Sequence, residues 1–225
     1  MPNQLCIHDL NKIGYKEAFL YQTSLRDQVK RGENSPFHLV FCEHEPVITK
    51  GRNFVAESLP FPEEFYLSKN ISLENVDRGG DVTFHGPGQI TAYFIFDLNQ
   101  KQKDIHKFIH LLEDVVINCL KDFKVVSGRN PANSGVWVGE EKICAIGVGF
   151  KHWISYHGIG FNINTDMNYF SYIIPCGLKE KGVTSLKKVL QSSNNINLDL
   201  IKEKLIFHTH QVFNIQNENL LEHKK

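Results

Sequence analysis

Tyr15, Ala18, Phe19, Leu25 and Val29 recur with the spacing of one face of a helix, broken once by a polar Gln22, and Gly32 stands where such a helix would stop. Phe37 to Cys42 and Val47 to Thr49 are short β-rich runs, and His44-Glu45-Pro46 between them reads as a turn between strands. Ile71 to Val76 and Ile90 to Phe96 predict two further strands. Between them lies a stretch of different composition, 78–89, with four glycines and a proline. A loop so rich in glycine is costly inside a sheet unless its backbone must approach a ligand closely. Asp104 then caps the clearest helix in the chain, whose apolar stripe is Ile105, Phe108, Ile109, Leu112, Val115, Val116, Cys119, Leu120 and Phe123.

From Gly135 the period shortens to two. Gly135 to Val138, a turn at Gly139-Glu140-Glu141, Lys142 to Phe150, and Trp153 through His157 to Ile163 predict a meander, and connections this short require antiparallel pairing. Asp166 to Tyr172 predicts a short helix ending before Pro175. Thr184 is a cap for another, Ser192 to Asn197 a polar linker, and Leu198 to Phe213 a closing helix. Over 225 residues these elements suit a single α/β domain of the α+β type, 1–225, without repeats or low-complexity tracts.

Composition narrows the function classes. Lys plus Arg and Asp plus Glu are both 25, so there is no global basic field for nucleic acid, and a charged partner must be met by a local patch. Five cysteines, an odd number without close pairs, fit neither a disulfide framework nor a Cys-x-x-Cys metal site and point to a reducing compartment. The first residues, Met1 to Asn11, include Asp9 and lack the apolar run of a signal peptide, and no apolar run approaches the ~20 residues of a membrane span. The expectation is a cytoplasmic protein that meets no membrane. His106 and His110 sit four apart on one helix without a third ligand, so a solvated face is the reading there and no metal is expected.

Four places carry candidate chemistry. Arg78-Gly79-Gly80-Asp81-Val82-Thr83-Phe84-His85-Gly86-Pro87-Gly88-Gln89 brackets its glycines with Arg, His and Gln, as a floor for a ligand would, yet lacks the spacing of a phosphate-binding loop. In Glu141 to Gly147, strict alternation puts Lys142, Cys144 and Ile146 on one face and Ile143 and Ala145 on the other. Lys142 is then either a solvated strand end or a lysine aimed into a pocket, and spacing alone favours the former. Tyr156 to Asn162 has Gly158 and Gly160 interrupting a strand, which allows close approach, and reads His157 as a hydrogen-bonded structural residue. Ile174-Pro175-Cys176-Gly177 places a cysteine in a loop beside Lys179 and Lys181, where a thiolate is favoured, whereas Cys6, Cys42, Cys119 and Cys144 fall within strand or helix patterns.

Together these segments resemble the lipoyl(octanoyl) transferase family, roughly from Glu43 to Ser185. The matching pieces are Glu43 to Val47, Gly51-Arg52, Arg78 to Gln89, Gly135 to Val138, Lys142-Ile143 with Ala145 to Gly147, His157-Gly158, Phe161-Asn162 and Pro175-Cys176-Gly177. The resemblance implies a mixed, largely antiparallel sheet flanked by helices, related to the catalytic core of biotin and lipoate ligases. It implies that Cys176 accepts the acyl group and that Lys142 activates it. It also aligns Arg78, Gly79, Gly80, Asp81, Val82, Thr83, Phe84 and His85, then Ala145, Ile146 and Gly147, and Gly158, Ile159 and Gly160, with acyl-binding segments. Lys50 before Gly51-Arg52, Cys144, and Ile163-Asn164 after Asn162 depart from the family pattern without touching the Cys/Lys pair.

The implied activity is transfer of octanoyl from octanoyl-acyl carrier protein, where it rides on phosphopantetheine, to a lysine of apo lipoyl domains of 2-oxoacid dehydrogenases and of the glycine-cleavage H protein. Neither ATP, a metal nor another cofactor is implied, and the protein is expected to act as a monomer. Lys179, Lys181, Lys187 and Lys188 form the expected patch for acidic partners. The competing readings are an ATP-dependent lipoate ligase, which has no use for Pro-Cys-Gly, and an inactive relative that only binds its partners.

Overall fold

The computed structural model describes residues 4–32, 35–131, 133–174 and 182–216. In chain order it comprises β1 (Leu5–Ile13), α1 (Tyr15–Arg31), β2 (Phe37–His44), β3 (Val47–Lys50), α2 (Glu63–Ser68), β4 (Ser72–Asn75), β5 (Val82–His85), β6 (Gln89–Ile95) and α3 (Ile105–Asp122). There follow β7 (Gly128–Asn130), β8 (Asn133–Val138), β9 (Glu141–Lys151), β10 (Ile154–Asn162), α4 (Leu186–Val189) and α5 (Leu198–Val212). The strands build a seven-stranded sheet in the order β1-β2-β6-β10-β9-β8-β7 and a three-stranded sheet in the order β4-β3-β5. In the large sheet only β1 and β2 run parallel, so it is mixed and largely antiparallel as expected.

Alternation decides what each face meets. Phe37, Leu39, Phe41, Ile90, Ala92, Phe94, Ile159 and Phe161 point to one face and pack with the apolar stripe of α3 and with Ile201 and Leu205 of α5. The opposite face offers Val40, Cys42, Tyr93, Ile95 and Ile154 to Ala18, Leu25 and Val29 of α1. The small sheet has its own core, where Ile48, Val82 and Phe84 meet Tyr66 of α2, Phe170 of a 3-10 turn at Met167–Tyr172, and Ile173 just after that turn. Asp104 caps α3 by accepting from the Lys107 N–H at 2.9 Å.

Two departures from the sequence reading have physical causes, and one expected turn links the two sheets. The turn at His44-Glu45-Pro46 stands between strands as expected, and those strands belong to different sheets: β2 pairs with β1 and β6, while β3 pairs with β4 and β5. Pro46 has no N–H to extend a ladder, and the chain crosses there from one sheet to the other. The glycine-rich stretch contains a strand, β5, because Val82 and Phe84 have a core to fill. Ser185, not Thr184, caps α4, accepting from Lys188 N, since the Thr184 backbone is committed to β9.

Candidate active site

A cavity of about 850 Å³ lies between the α1 face of the large sheet and the small sheet. Its floor is bare. Ala145 lies opposite Gly160 and Gly147 opposite Gly158 across β9 and β10, so two neighbouring cross-strand pairs carry between them a single methyl group. A Cβ on Gly158 would lie 2.1 Å from the Ala92 carbonyl oxygen, and one on Gly147 2.9 Å from Arg78 Cδ. An alkyl chain can lie against backbone there as it could against no other residue types.

A β-bulge sets which β9 side chains reach this floor. Across the β8–β9 ladder, Val136 faces Cys144 and Trp137 faces Lys142, so Ile143 is the extra residue. Ile143 and Cys144 therefore both enter the core, and Lys142 shares the cavity face with Ala145 and Gly147. Strict alternation had grouped Lys142 with Cys144 and Ile146 and favoured a solvated lysine; the bulge overturns both, and Lys142 is only 8 % exposed. Its ammonium donates to Asn133 Oδ1 and to the Ser134 carbonyl at 3.1 Å, and sits 5.0 Å from the centre of the Trp137 ring.

The backbone of Lys142 also fixes the chain that follows residue 181. Lys142 N–H donates to the Gly182 carbonyl at 3.0 Å and Thr184 N–H donates to the Lys142 carbonyl at 2.9 Å, with Val183 lining the cavity. On the other side, Ile174 N–H donates to the Ser58 carbonyl at 3.0 Å. Cys176 lies between these anchors but outside the described residues, as do Lys179 and Lys181.

The roof is a pair of interlocked loops. Gly51, Arg52 and Asn53 donate their N–H groups to the carbonyls of Asp81, Arg78 and Gly80, and Gly79 N–H donates to Val148 of β9 at 2.9 Å. Arg78 is buried and braces this arrangement from within, its guanidinium donating to the Thr49 hydroxyl, the Thr49 carbonyl (2.7 Å), the Gly79 carbonyl (2.9 Å) and the Asp81 carbonyl (3.0 Å). The Asp81 carboxylate accepts from the Ser58 hydroxyl and from Val55 N–H. Arg78 and Asp81 thus shape the loop that covers the slot.

Two histidines line the cavity and differ in what holds them. Gln89 Nε2 donates to the Phe84 carbonyl and to Asn162 Oδ1, and Asn162 Nδ2 donates to the Thr184 carbonyl. Backbone carbonyls at both ends fix this chain, so Gln89 Oε1 is the acceptor toward His85 Nδ1 at 2.7 Å, and the imidazole carries its proton on Nδ1. Burial, then His44 and Arg78, push the His85 pKa down to about 3, so Nε2 is a neutral acceptor. His157 lies in the left-handed region (φ 60°) and its Nε2 donates to Asp77 Oδ1 at 2.8 Å, while the Tyr156 hydroxyl donates to the other oxygen at 2.6 Å. That His157 bond, above all, holds the Asp77 carboxyl well below the usual carboxylate range, whereas burial lowers His157 itself. Asp77 immediately precedes Arg78, so His157 anchors the start of the roof.

Of the residues singled out by sequence, Arg78, Gly79, Gly80, Asp81, Val82, Thr83 and His85, Lys142, Ala145, Ile146 and Gly147, and Gly158, Ile159 and Gly160 all line the cavity. Phe84 does not: it is fully buried and stacks on Tyr169 with ring centres 4.4 Å apart. Sequence reasoning missed Tyr15, Thr91, Tyr93, Asn133 and Ser134, and it named Asn162 without giving it a role in the site. The available signal was a polar side chain at the cavity-face position of an otherwise apolar strand, as for Thr91. His110 is exposed and hydrogen-bonds the buried Glu113 at 2.9 Å, and among the described residues no group of three or more His, Cys, Asp or Glu could hold a metal ion. No helix among them is long and apolar enough to cross a membrane.

Residues 14–209 match the family described as the lipoyl protein ligase A/B catalytic domain. Among curated relatives, an octanoyltransferase of Thermoanaerobacter sp. (strain X514) is 42% identical over 209 residues, covering 92% of this chain and 89% of the relative. One of Parabacteroides distasonis is 40% identical over 210 residues, covering 89% and 95%. Among solved structures, lipoate-protein ligase A bound with ATP superposes with a TM-score of 0.78 at 16% identity, covering 96% of this chain and 87% of that one. Biotin protein ligase from Aquifex aeolicus gives 0.52 at 11%, covering 95% and 70%. At those identities the structural likeness speaks for the fold alone.

Proposed function

Since this chain belongs to the lipoyl protein ligase A/B catalytic-domain family and is an octanoyltransferase acting in protein lipoylation, we propose a two-step transfer through Cys176. Octanoyl-acyl carrier protein is the donor, and lysines of apo lipoyl domains are the acceptors. The Cys176 thiolate attacks the donor thioester, and the pantetheine sulfur leaves and takes up a proton. The acceptor ε-amine then attacks the acyl-enzyme, loses a proton, and expels the Cys176 thiolate, leaving an amide. One thioester is exchanged for another in the first step, so neither ATP nor a metal is required.

The observation that carries this reading is Lys142: its ammonium is buried at the end of a slot whose floor bears only one methyl group, and its own backbone pins Gly182 and Thr184, a few residues beyond Cys176. A free thiol has a pKa near ~8.5, so a neighbouring lysine that stabilises its thiolate or takes its proton supplies the activation, and the same group can deprotonate the incoming amine. Of the other four thiols, Cys6 lies on β1 and does not line the cavity, and the remaining three suit the role poorly. Burial raises Cys42 and Cys119 to about 12 each and Cys144 higher still, and all three sit in packed cores. The neutral Nε2 of His85 is a hydrogen-bond acceptor for the attacking amine.

The test is intact-mass analysis after mixing the protein with octanoyl-carrier in the absence of ATP. An octanoyl adduct that maps to Cys176, vanishes in Cys176→Ser and discharges onto an apo lipoyl domain is expected. An adduct surviving in Cys176→Ser, or transfer that appears only with ATP and free octanoate, would overturn the reading.

A further inference from the structure

We propose that the cleft between the end of α1 and the β9–β10 hairpin is the docking surface for the acidic carrier that delivers the acyl thioester, its prosthetic arm entering the cavity along β9. This rests on the donor assigned above and adds where that donor binds.

The cleft, about 380 Å³, is lined by Arg26, Lys30 and Arg31 of α1 and by Lys151 and His152 of the hairpin. Its one acid, Asp27, is paired with Arg26 at 3.2 Å. Lys30, Arg31 and Lys151 are exposed and make no salt bridge among the described residues, in contrast to Lys12, Lys188, Lys202 and Lys204, each held by a carboxylate. The patch expected from the sequence is less available in its described part: Lys188 pairs with Glu141 at 2.8 Å and Lys187 donates to Asn195.

The hairpin has an unusual tip. Lys151 and Ile154 are paired, and the two residues between them, His152 and Trp153, both have positive φ (55° and 65°). Such a two-residue turn is ordinarily occupied by Asn and Gly, because a Cβ is disfavoured there. Its carbonyls are tied down by Asn99 Nδ2 and Leu98 N–H. The result is a fixed Trp153, 39 % exposed, an aromatic anchor beside cations that complement an acidic partner.

The cleft connects to the cavity. Arg26 lies over the Tyr156 ring, 4.9 Å from its centre, and that ring fills the space a side chain on Gly149 would need. Gly149 and Phe150 line the cavity, as does Arg52, an exposed cation without a salt bridge among the described residues. A positive path therefore runs from Lys151 past Arg26 to Arg52 at the mouth.

Reach distinguishes the two protein substrates. Lys142 and Lys151 stand at opposite ends of the strand, about 30 Å apart at ~3.3 Å per residue. A lipoyl-domain lysine extends only a few ångström from its own domain, so that domain must sit near Lys142. A pantetheine arm extends to roughly 15–20 Å, short of the ~30 Å between Lys151 and Lys142, so the carrier's attachment point must stand toward Arg52, which lines the cavity, with its acidic face over the cleft.

The experiment uses the full chain and Arg31→Glu/Lys151→Glu, two exposed positions outside the cavity. Octanoyl-carrier affinity is read by fluorescence anisotropy, and transfer is measured from both the carrier and the small thioester octanoyl-N-acetylcysteamine. The variant should bind carrier about tenfold more weakly with a flatter salt dependence, while its transfer from the small thioester and its KM for the lipoyl domain stay unchanged. Lys121→Glu/Lys124→Glu, on the far end of α3, should bind carrier as the parent does. Unchanged carrier affinity in the first variant, or an equal loss with both donors, overturns the proposal. A parent protein that binds carrier tightly but transfers from neither donor would instead overturn the assigned reaction and leave the docking surface standing.

Discussion

The two ends of the cavity are built on different principles. At the Lys142 end nearly every polar atom is spoken for: Asn133 and Ser134 hold the ammonium, Gly182 and Thr184 bracket the backbone, and the Thr184–Asn162–Gln89–His85 chain fixes an imidazole tautomer. At the Phe150 end the lining is Val148, Phe150, Ile105 and Ile109, and β9 has left β8 behind, since their pairing stops at Ala145. One end is rigid and polar, as chemistry requires. The other is open, apolar apart from Arg52 at its mouth, and contributes binding. Substitutions at the first should therefore act on kcat, and at the second on KM.

Lys142→Ala should have the largest effect, lowering transfer about a thousandfold at neutral pH, with acylation of Cys176 recovering as the pH approaches the ordinary thiol pKa. Quenched-flow mass analysis across pH reads both, and parental rates at pH 7 would remove Lys142 from the mechanism. Next is Asn162→Ala, which takes an acceptor from Gln89 and a donor from Thr184. It should lower kcat about tenfold and cost ~1–3 kcal/mol of stability for the polar groups left unpaired. If stability falls without any change in kcat, the chain to His85 is structural only.

Acid should dissolve the polar end first. Burial holds the folded-state pKa of His85 at about 3 and also lowers those of His44 and His157, so the unfolded chain binds more protons below its ordinary value of ~6.5. Stability contributed by keeping His85 neutral is thus complete above pH ~6.5 and is lost progressively as pH falls toward 3. Asp77, lowered by His157, adds to the same loss as pH falls below the usual carboxylate range. Urea denaturation between pH 7.5 and 4.5 should show this slope, and His85→Gln should flatten it. The smallest effect belongs to the open end: Ile105→Ser, at a position 40 % exposed, should raise KM for the octanoyl donor a few-fold with kcat and Tm unchanged.

This division also marks what could be read from the sequence. α1, α3, α5 and the β8–β9–β10 meander were legible because their apolar residues repeat with one period over many residues. β1 was not, since as an edge strand beside β2 alone it is half-exposed and reads as polar, with His8, Asp9 and Lys12 interleaved. The glycine segments were recognised as close-approach sites, yet nothing in them showed that Gly147 and Gly158 would face each other, because pairing register is a long-range property. Lys142 reached the cavity through a bulge that alternation cannot foresee, and Phe84, embedded among cavity residues, turned the other way because the small sheet needed its ring.

The extra residue in β9 also makes segment length a constraint separate from residue identity. Between Lys142 and Gly147 the chain changes phase once, so that the lysine and the glycine end on the same side. Delete one residue there and a sequence with every chemically important side chain still present would send its lysine into the hydrocarbon core. Insert one and the bare strip would be paved with Ile146 and Val148 instead. For anyone recombining or redesigning this chain, the count of residues between Lys142 and Gly147 has to be conserved as strictly as the lysine itself.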